Sequence, residues 1–284
     1  MLLRALIDPI IERALAEDLS GGDLSAEACV DPSRRARAVA LAKSPLVVCG
    51  ATVFLRVFEL VDPTIQAKVL VEDGAEVARG TFLYELVGSA RSLLMAERTA
   101  LNFVQRMSGV ATAARACVAA IPDGARTRIT DTRKTTPGLR MLERYAVRTG
   151  GAHNHRDTLG SAVMIKDNHI VAAGGIEIAV SRARARAPHT SRIEVEVKNL
   201  EELDQAIAAR ADIIMLDNFD DALTARAMER LSREANRPLV ESSGNITKAR
   251  IATLANLGVD IISVGALTHS APAADISLDF ELVP

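Results

Sequence analysis

Residues 193–217 read IEVEVKNLEELDQAIAARADIIMLD, and this stretch decides the fold. Residues 193–197 form a short run with an apolar residue at every second position, residues 200–210 are long enough for one helix, and residues 212–216 are a second short apolar run. Strand, helix and strand at this spacing make a βα unit of a parallel sheet. The same grammar recurs on both sides, with apolar runs at 127–130, 162–165, 238–240 and 261–264 and a further helical segment at 247–257. Each run leads into polar or turn residues: Asp131-Thr-Arg-Lys134, Lys166, Glu196, Asp217, Glu241-Ser-Ser-Gly244 and Gly265. Buried parallel strands are apolar throughout, so polar residues at their carboxyl ends mark the place where a barrel keeps its active site. A doubly wound sheet also places its site there, and order alone does not separate the two. The reading favours an incomplete α/β barrel of about six strands. Glu194 shares a face with Glu196, and two acids on one strand face call for a polar barrel interior or mouth.

The first hundred residues have a different pattern. Asp8-Pro9 is expected to cap a helix running on through IIERALAED, with proline at its first position. Residues 35–43 (RARAVALAK) alternate as a half-buried strand does, and so do Ile65, Ala67, Val69 and Val71. After the turn-rich DGAEVARG, Phe82, Tyr84 and Leu86 are expected to share a face, and a long helix starts near Ser92. This is the signature of an α+β domain with an antiparallel sheet. DGAEVARG resembles the hammerhead hairpin of a biotinyl or lipoyl carrier, but no lysine stands at its tip, so it reads as plain structure.

Composition narrows the function. The 284 residues, 49% apolar and 25% charged, are ordinary globular composition and enough for about two domains. Lysine plus arginine number 34 against 36 acids, a net charge of −2, which argues against a general nucleic-acid-binding coat. Cys29, Cys49 and Cys117 are far apart and form no CxxC pair, so a reducing compartment fits better than a disulfide framework or cysteine zinc site. No apolar run approaches the ~18 residues of a membrane span, and the charges at Arg4 and Asp8 fit a helix, not a signal peptide. The expectation is a cytoplasmic protein.

Several motifs carry chemistry. In DTRKTTPGLR, Arg133 and Lys134 follow a strand and precede Pro137-Gly138, presenting two cations suited to carboxylate or phosphate; a solvated basic loop is the bland alternative. GGAHNHR gathers two glycines, His153, His155 and Arg156. A metal there lacks the three or four ligands it needs, so a histidine hydrogen-bonding a ligand is the better reading. Lys166 directly follows an apolar run, where it needs an anionic partner. Glu196 and Asp217 end consecutive βα units, placed to coordinate Mg2+ or hold sugar hydroxyls. SSGN (242–245) and SVGALTHS (263–270) follow the last two runs, where glycines let backbone N–H groups approach phosphate. GxxxxGK[ST] and GxGxxG are both absent. The residues point to phosphate-ester or phosphoribosyl chemistry on a small acid, with Mg2+.

The chain resembles the quinolinate phosphoribosyltransferases over almost its full length. The resemblance rests on EDLSGGDLS, ERTALNFVQRMSGVAT, DTRKTTPGLR, GGAHNHR, IKDNHI, EVEV, MLDN, ESSGNI and GVDIISVGALTHS, all in order. It implies an N-terminal α/β sandwich domain (1–110), an open α/β barrel catalytic domain (111–269), a tail (270–284) packing back on the first domain, and a head-to-tail homodimer. The implied reaction joins quinolinate to phosphoribosyl pyrophosphate with Mg2+, releasing pyrophosphate and CO2 and giving nicotinate mononucleotide, a step towards NAD. By resemblance, Arg133, His155, Arg156 and Lys166 form the quinolinate pocket, with Thr132 in the same loop. Lys134 and Lys166 meet phosphoribosyl pyrophosphate, and Glu196 and Asp217 lie near ribose and Mg2+, binding it directly or through water. Lys134, Lys166, Glu196 and Asp217 are the implied catalytic set. Ser243, Gly244, Asn245, Val264, Gly265 and Ala266 match the phosphate-binding turns, and Arg98 matches an arginine supplied by the neighbouring subunit. Asn245 stands where many relatives have glycine; asparagine tolerates positive φ, so the turn is expected to survive. A molybdenum-transport-associated paralogue group with a different acid acceptor shares the DTRKTTPG-like loop, but Lys166-Asp-Asn-His favours the quinolinate enzymes. A metal-dependent barrel hydrolase would use His153, His155 and a modified Lys166. An RNA-binding module would use the arginines around 126–148, against which the absence of tryptophan and only two tyrosines argue.

Overall fold

The computed structural model describes residues 2–283. In chain order the elements are α1 (Arg4–Leu19), α2 (Leu24–Cys29), β1 (Arg35–Ala42), β2 (Leu46–Val47), α3 (Ala51–Val61), β3 (Gln66–Val69), β4 (Glu76–Val77), β5 (Phe82–Ser89) and α4 (Ala90–Val118). Then follow β6 (Arg128–Thr130), α5 (Arg140–Thr149), β7 (Val163–Ile165), α6 (Asp167–Ala173), α7 (Ile176–Arg186), β8 (Ile193–Val197), α8 (Leu200–Ala208) and β9 (Ile213–Asp217). The chain closes with α9 (Asp221–Leu231), β10 (Leu239–Ser243), α10 (Lys248–Asn256), β11 (Ile261–Ser263), α11 (Ala266–His269) and β12 (Ile276–Val283). These form two compact units. One holds the described residues up to Arg115, Thr135–Gly151 and those from Thr268; the other holds Ala116–Lys134 and Ala152–Leu267. The sequence boundary at 110 differs from this division chiefly in the excursion 135–151, which carries α5 into the first unit. Among the described residues no helix is long and apolar enough to cross a membrane.

The first unit is built on a four-stranded sheet in the order β12-β1-β5-β3, with every pairing antiparallel. The alternation read over 35–43 is β1, whose Ala36, Ala38, Ala40 and Ala42 are fully buried. Two expectations are corrected. Pro9 lies inside α1, which begins at Arg4, and Asp8 does not cap it. Proline forfeits the N–H bond to the carbonyl four residues back, but the longer helix buries Ile7 and Ile11 on one face and sets Asp8 in a bidentate pair with Arg56, both contacts 2.9 Å. Phe82 is 56% exposed while Tyr84 and Leu86 are fully buried. The register slips between Ala40 and Leu41, which pair with Tyr84 and Phe82, and this bulge takes Phe82 off the shared face.

Arg106 on α4 joins the three chain segments of this unit. Its Nε and Nη2 donate to Glu143 Oε1 at 3.0 and 2.7 Å, and its other contacts reach the carbonyls of Ala271 (2.9 Å) and Thr268. Glu143 is fully buried and also accepts the N–H and hydroxyl of Thr136 at 3.0 and 2.7 Å. The tail passes so near α4 that a Cβ on Gly109 would lie 2.0 Å from the Pro272 carbonyl oxygen.

The second unit is an open barrel: six parallel strands in the order β6-β11-β10-β9-β8-β7. One side of the strands meets the helices. Val195, Val197, Ile214, Leu216 and Val240 pack there with Leu203, Ala206, Phe219, Ala227 and Leu231. The other side is polar, because the same register aligns Glu196, Met215 and Glu241 in one lateral row and Asp217, Ser243, Ser263 and Thr130 in the next.

Glu143→Ala should destabilise the protein by about 3–5 kcal/mol, the cost of removing one partner from a buried ion pair. Arg106→Met combined with Glu143→Leu should cost less than the two single changes added, since one interaction is lost only once. Urea unfolding of the variants measures both, and strict additivity would show that the pair is not coupled.

Candidate active site

The polar face of the barrel opens into a cavity of about 390 Å³ lined by Thr132, Arg133, Lys134, His155, Arg156, Lys166, Glu196, Asp217 and Ser243. These nine sequence-predicted residues come from the ends of four strands, β7 to β10, and from the segments after β6 and before β7. Met164, Met215, Glu241 and Ser263 complete the wall; the sequence reading placed Glu241 among the polar run ends and Ser263 at the start of SVGALTHS without giving either a role, and it singled out neither methionine. Glu241 had a signal, since it precedes Ser243 by two residues at the end of a strand and so shares its face.

Asp131, fully buried after β6, holds the loop that carries the histidine. Its Oδ1 accepts the His155 N–H at 2.7 Å and its Oδ2 accepts Asn154 Nδ2 at 2.6 Å. Thr132 Oγ1 accepts the Lys134 N–H at 3.1 Å, fixing the turn on which Arg133 and Lys134 stand. Arg156 donates to the Ala162 carbonyl at 3.1 Å and touches Met164 Sδ at 3.4 Å. Burial, and then the charge of Arg133, pull its guanidinium below the ordinary arginine range. Two guanidiniums whose charges repel in a half-buried wall make the wall electropositive. Lys166 Nζ meets Glu196 Oε2 at 2.5 Å, the anionic partner its position required.

His155 stands between two acids. Its Nε2 lies 3.3 Å from Glu194 Oε2 and 3.4 Å from Glu241 Oε2, and both glutamates are buried. Ligand atoms of the three lie within 4.8 Å of one another, a spacing compatible with a metal. The ring argues otherwise. Its Nδ1 accepts the Arg156 N–H at 2.7 Å, whereas a metal on Nε2 leaves Nδ1 carrying the proton. Burial works against a charge on His155, but the hydrogen bonds and charges of Glu194 and Glu241 outweigh it, and the pKa is pushed up to about 10. Burial, with the charge of Glu241, pushes Glu194 up as well, against the pull of His155. Both shifts favour an added proton on the cluster; the geometry, with Nδ1 accepting from Arg156, is that of the neutral ring with its hydrogen on Nε2, facing the two carboxylates. His153 is exposed, and its backbone bridges to Thr130 on the edge of β6. The hydrolase reading therefore loses one of its histidines.

The remaining predicted residues lie elsewhere. Gly244 (φ 93°) and Asn245 (φ 49°) turn the chain after β10, so Asn245 takes the left-handed conformation expected of it. They share a depression with Asn218, Phe219, Asp221 and Arg250. The Val264 N–H donates to the Thr130 carbonyl at 2.9 Å, Gly265 follows, and Ala266 opens α11. Arg98 belongs to the first unit, where it lines a cleft of about 400 Å³ with Arg13, Glu17, Asn102 and Phe103.

Since the folded pKa of His155 lies above its ordinary value of 6.5, the stability it contributes is complete below pH 6.5 and is lost as pH rises towards 10. Glu241→Gln should lower the His155 titration midpoint in NMR towards 6.5. It should also destabilise by about 1–3 kcal/mol at pH 6, with a smaller difference at pH 10. An unmoved midpoint would remove Glu241 as a cause of the shift.

Comparison with known proteins gives the family. The model for the C-terminal domain of quinolinate phosphoribosyl transferase matches residues 110–279, and that for the N-terminal domain matches residues 23–108. A probable nicotinate-nucleotide pyrophosphorylase (carboxylating) of Synechocystis is 46% identical over 275 residues, 96% of this chain and 92% of the relative. The human nicotinate-nucleotide pyrophosphorylase (carboxylating) is 39% identical over 270 residues, 95% of this chain and 90% of its own. The crystal structure of NadC from Streptococcus pyogenes matches with a TM-score of 0.93 at 41% identity, covering 100% of this chain and 99% of that one. This chain belongs to the quinolinate phosphoribosyl transferase family.

Proposed function

We infer that this chain transfers the phosphoribosyl group of phosphoribosyl pyrophosphate to quinolinate, releasing pyrophosphate and CO2 and giving nicotinate mononucleotide for NAD synthesis. The observation that carries the reading is one cavity lined by Arg133, Lys134, Arg156 and Lys166 together with Glu196 and Asp217. Quinolinate has two adjacent carboxylates, and Arg133, Arg156, Lys166 and His155 bind them as a dianion. The pyridine nitrogen attacks the anomeric carbon as the bond to pyrophosphate breaks, and Glu196 and Asp217 stabilise the oxocarbenium-like charge that develops there. The turns at Ser243–Asn245 and Val264–Ala266, with Lys134, hold the phosphates. When CO2 leaves C2, the electron pair stays on the ring beside the pyridinium nitrogen, and C2 takes a proton.

Glu196 and Asp217, at the ends of β8 and β9, offer the oxygen donors that Mg2+ takes. Glu196 is already paired with Lys166, which leaves Asp217 as the carboxylate with charge to spare. When bound, Mg2+ supplies charge neutralisation for the pyrophosphate leaving group. Free Cys29, Cys49 and Cys117 support a reducing, cytoplasmic setting. Arg98 belongs to the first unit and every other residue of the set to the second, so the reading includes a homodimer in which Arg98 serves the partner's site.

Incubation with quinolinate, phosphoribosyl pyrophosphate and Mg2+ should yield nicotinate mononucleotide and CO2. Nicotinate has one carboxylate and leaves desolvated cations unpaired at a cost of roughly 2–5 kcal/mol. Its kcat/KM should therefore be lower by a factor of at least about 30, and comparable turnover of both acids would sink the assignment. Arg98→Ala and Lys134→Ala should each be inactive. Refolded together in equal amounts they should regain roughly a quarter of the sites, because half the dimers are mixed and each has one intact site. No recovery, with mixed dimers confirmed, would rule out the shared site.

A further inference from the structure

Arg250, on the first turn of α10, lines the depression beyond the phosphate turns. No motif singles it out. Its guanidinium nevertheless reaches both loops that follow β9 and β10. Nη1 donates to the Gly244 carbonyl at 3.1 Å, Nη2 donates to the Phe219 carbonyl, and Nε donates to Asp221 Oδ1 at 2.9 Å. The Arg250 side chain is 17% exposed; its two carbonyl contacts are partly buried and its contact with Asp221 is exposed. The backbone N–H of Arg250 is itself held by Thr247 Oγ1, the cap of α10.

The two loops so joined are tightly turned and interlocked. Asn218 (φ 56°), Gly244 (φ 93°) and Asn245 (φ 49°) all lie in the left-handed region, which glycine takes freely and asparagine more readily than other residues with a side chain. The Asn218 N–H donates to the Ser243 carbonyl at 2.9 Å, and a Cβ on Gly244 would lie 2.1 Å from Asn218 Oδ1. Asn218 Nδ2 in turn donates to Asp217 Oδ2 at 3.0 Å. In a trans peptide the carbonyl and the following N–H point in opposite directions. A guanidinium that fixes the Gly244 carbonyl therefore aims the Asn245 N–H away from Arg250, and fixing the Phe219 carbonyl does the same for the Asp220 N–H.

We propose that Arg250 is a positioning residue for phosphoribosyl pyrophosphate: it holds the turn at 243–245 and the loop carrying Asp217 in the one arrangement that binds the phosphoribosyl end of the substrate. The proposal rests on the function inferred above. Arg250 touches neither substrate; it acts through the peptide planes of Gly244 and Phe219. Quinolinate binding depends on Arg133, His155, Arg156 and Lys166, none of which Arg250 contacts, so the effect is confined to one substrate.

The test is steady-state kinetics of the full-length enzyme with each substrate varied in turn, for wild type, Arg250→Ala and Arg250→Lys, with thermal unfolding of each. In Arg250→Ala the KM for phosphoribosyl pyrophosphate should rise roughly tenfold, the size of one lost charge-assisted hydrogen bond, while the KM for quinolinate stays within about twofold. Lysine cannot span both carbonyls and Asp221 at once, so Arg250→Lys should fall between the two. It carries the test if the alanine variant does not fold. Equal rises in both KM values, or an unchanged KM for phosphoribosyl pyrophosphate in a folded variant, would overturn the proposal while leaving the inferred function in place. A wild-type protein that makes no nicotinate mononucleotide overturns the function and the proposal with it.

Discussion

Acids buried on the inner side of a parallel sheet must be met by donors, and the active site is organised by how that demand is satisfied. Asp131, directly after β6, Glu194 and Glu196 on β8, and Glu241 on β10 are all buried. An unpaired carboxylate there would cost several kcal/mol. Asp131 takes the backbone of His155 and the Asn154 amide, Glu196 takes Lys166, and Glu194 and Glu241 share the His155 ring. Each acid thus fixes one of the basic groups in the wall of the cavity.

The first unit contains a counterpart with a structural purpose. Glu143 is buried, and its oxygens are taken by Arg106 and Thr136. Those contacts draw the excursion 135–151 and the tail from Thr268 onto α4. The chain passes between units at Arg115–Ala116, Lys134–Thr135, Gly151–Ala152 and Leu267–Thr268, and the last three crossings lie close in sequence to loops of the binding set.

Much of this was legible in the sequence. The βα repeat over 193–217 gave six strands with bounds within two or three residues of those in the fold, because the period of apolar residues is local and the barrel repeats it. Helix ends were less legible: Pro9 reads as a helix start, yet α1 begins five residues further back at Arg4, because the added turn buries Ile7 against one missing hydrogen bond. The bulge that exposes Phe82 depends on its pairing with β1, which no local pattern records. In the site, the basic residues stood out because charges directly after apolar runs are conspicuous. Glu241 was legible as a polar run end beside Glu196 and Asp217, but its role was not, because its partner His155 is 86 residues away in sequence.

The sequence by itself determined the order of the strands along the chain, the polar character of their carboxyl ends and the set of motifs that mark the family. It could do so because alternation, turn residues and charges at run ends are properties of neighbours in the chain. The tertiary structure decided which acid meets which base. His155 lies between Glu194 and Glu241 because β8 and β10 flank β9 in a sheet whose lateral order runs β6-β11-β10-β9-β8-β7. Arg250 reaches Phe219 and Gly244 because α10 packs beside both loops. All but the Arg250–Gly244 pairing join residues tens of positions apart, and their distances are set by sheet register and helix packing, which only the folded chain fixes.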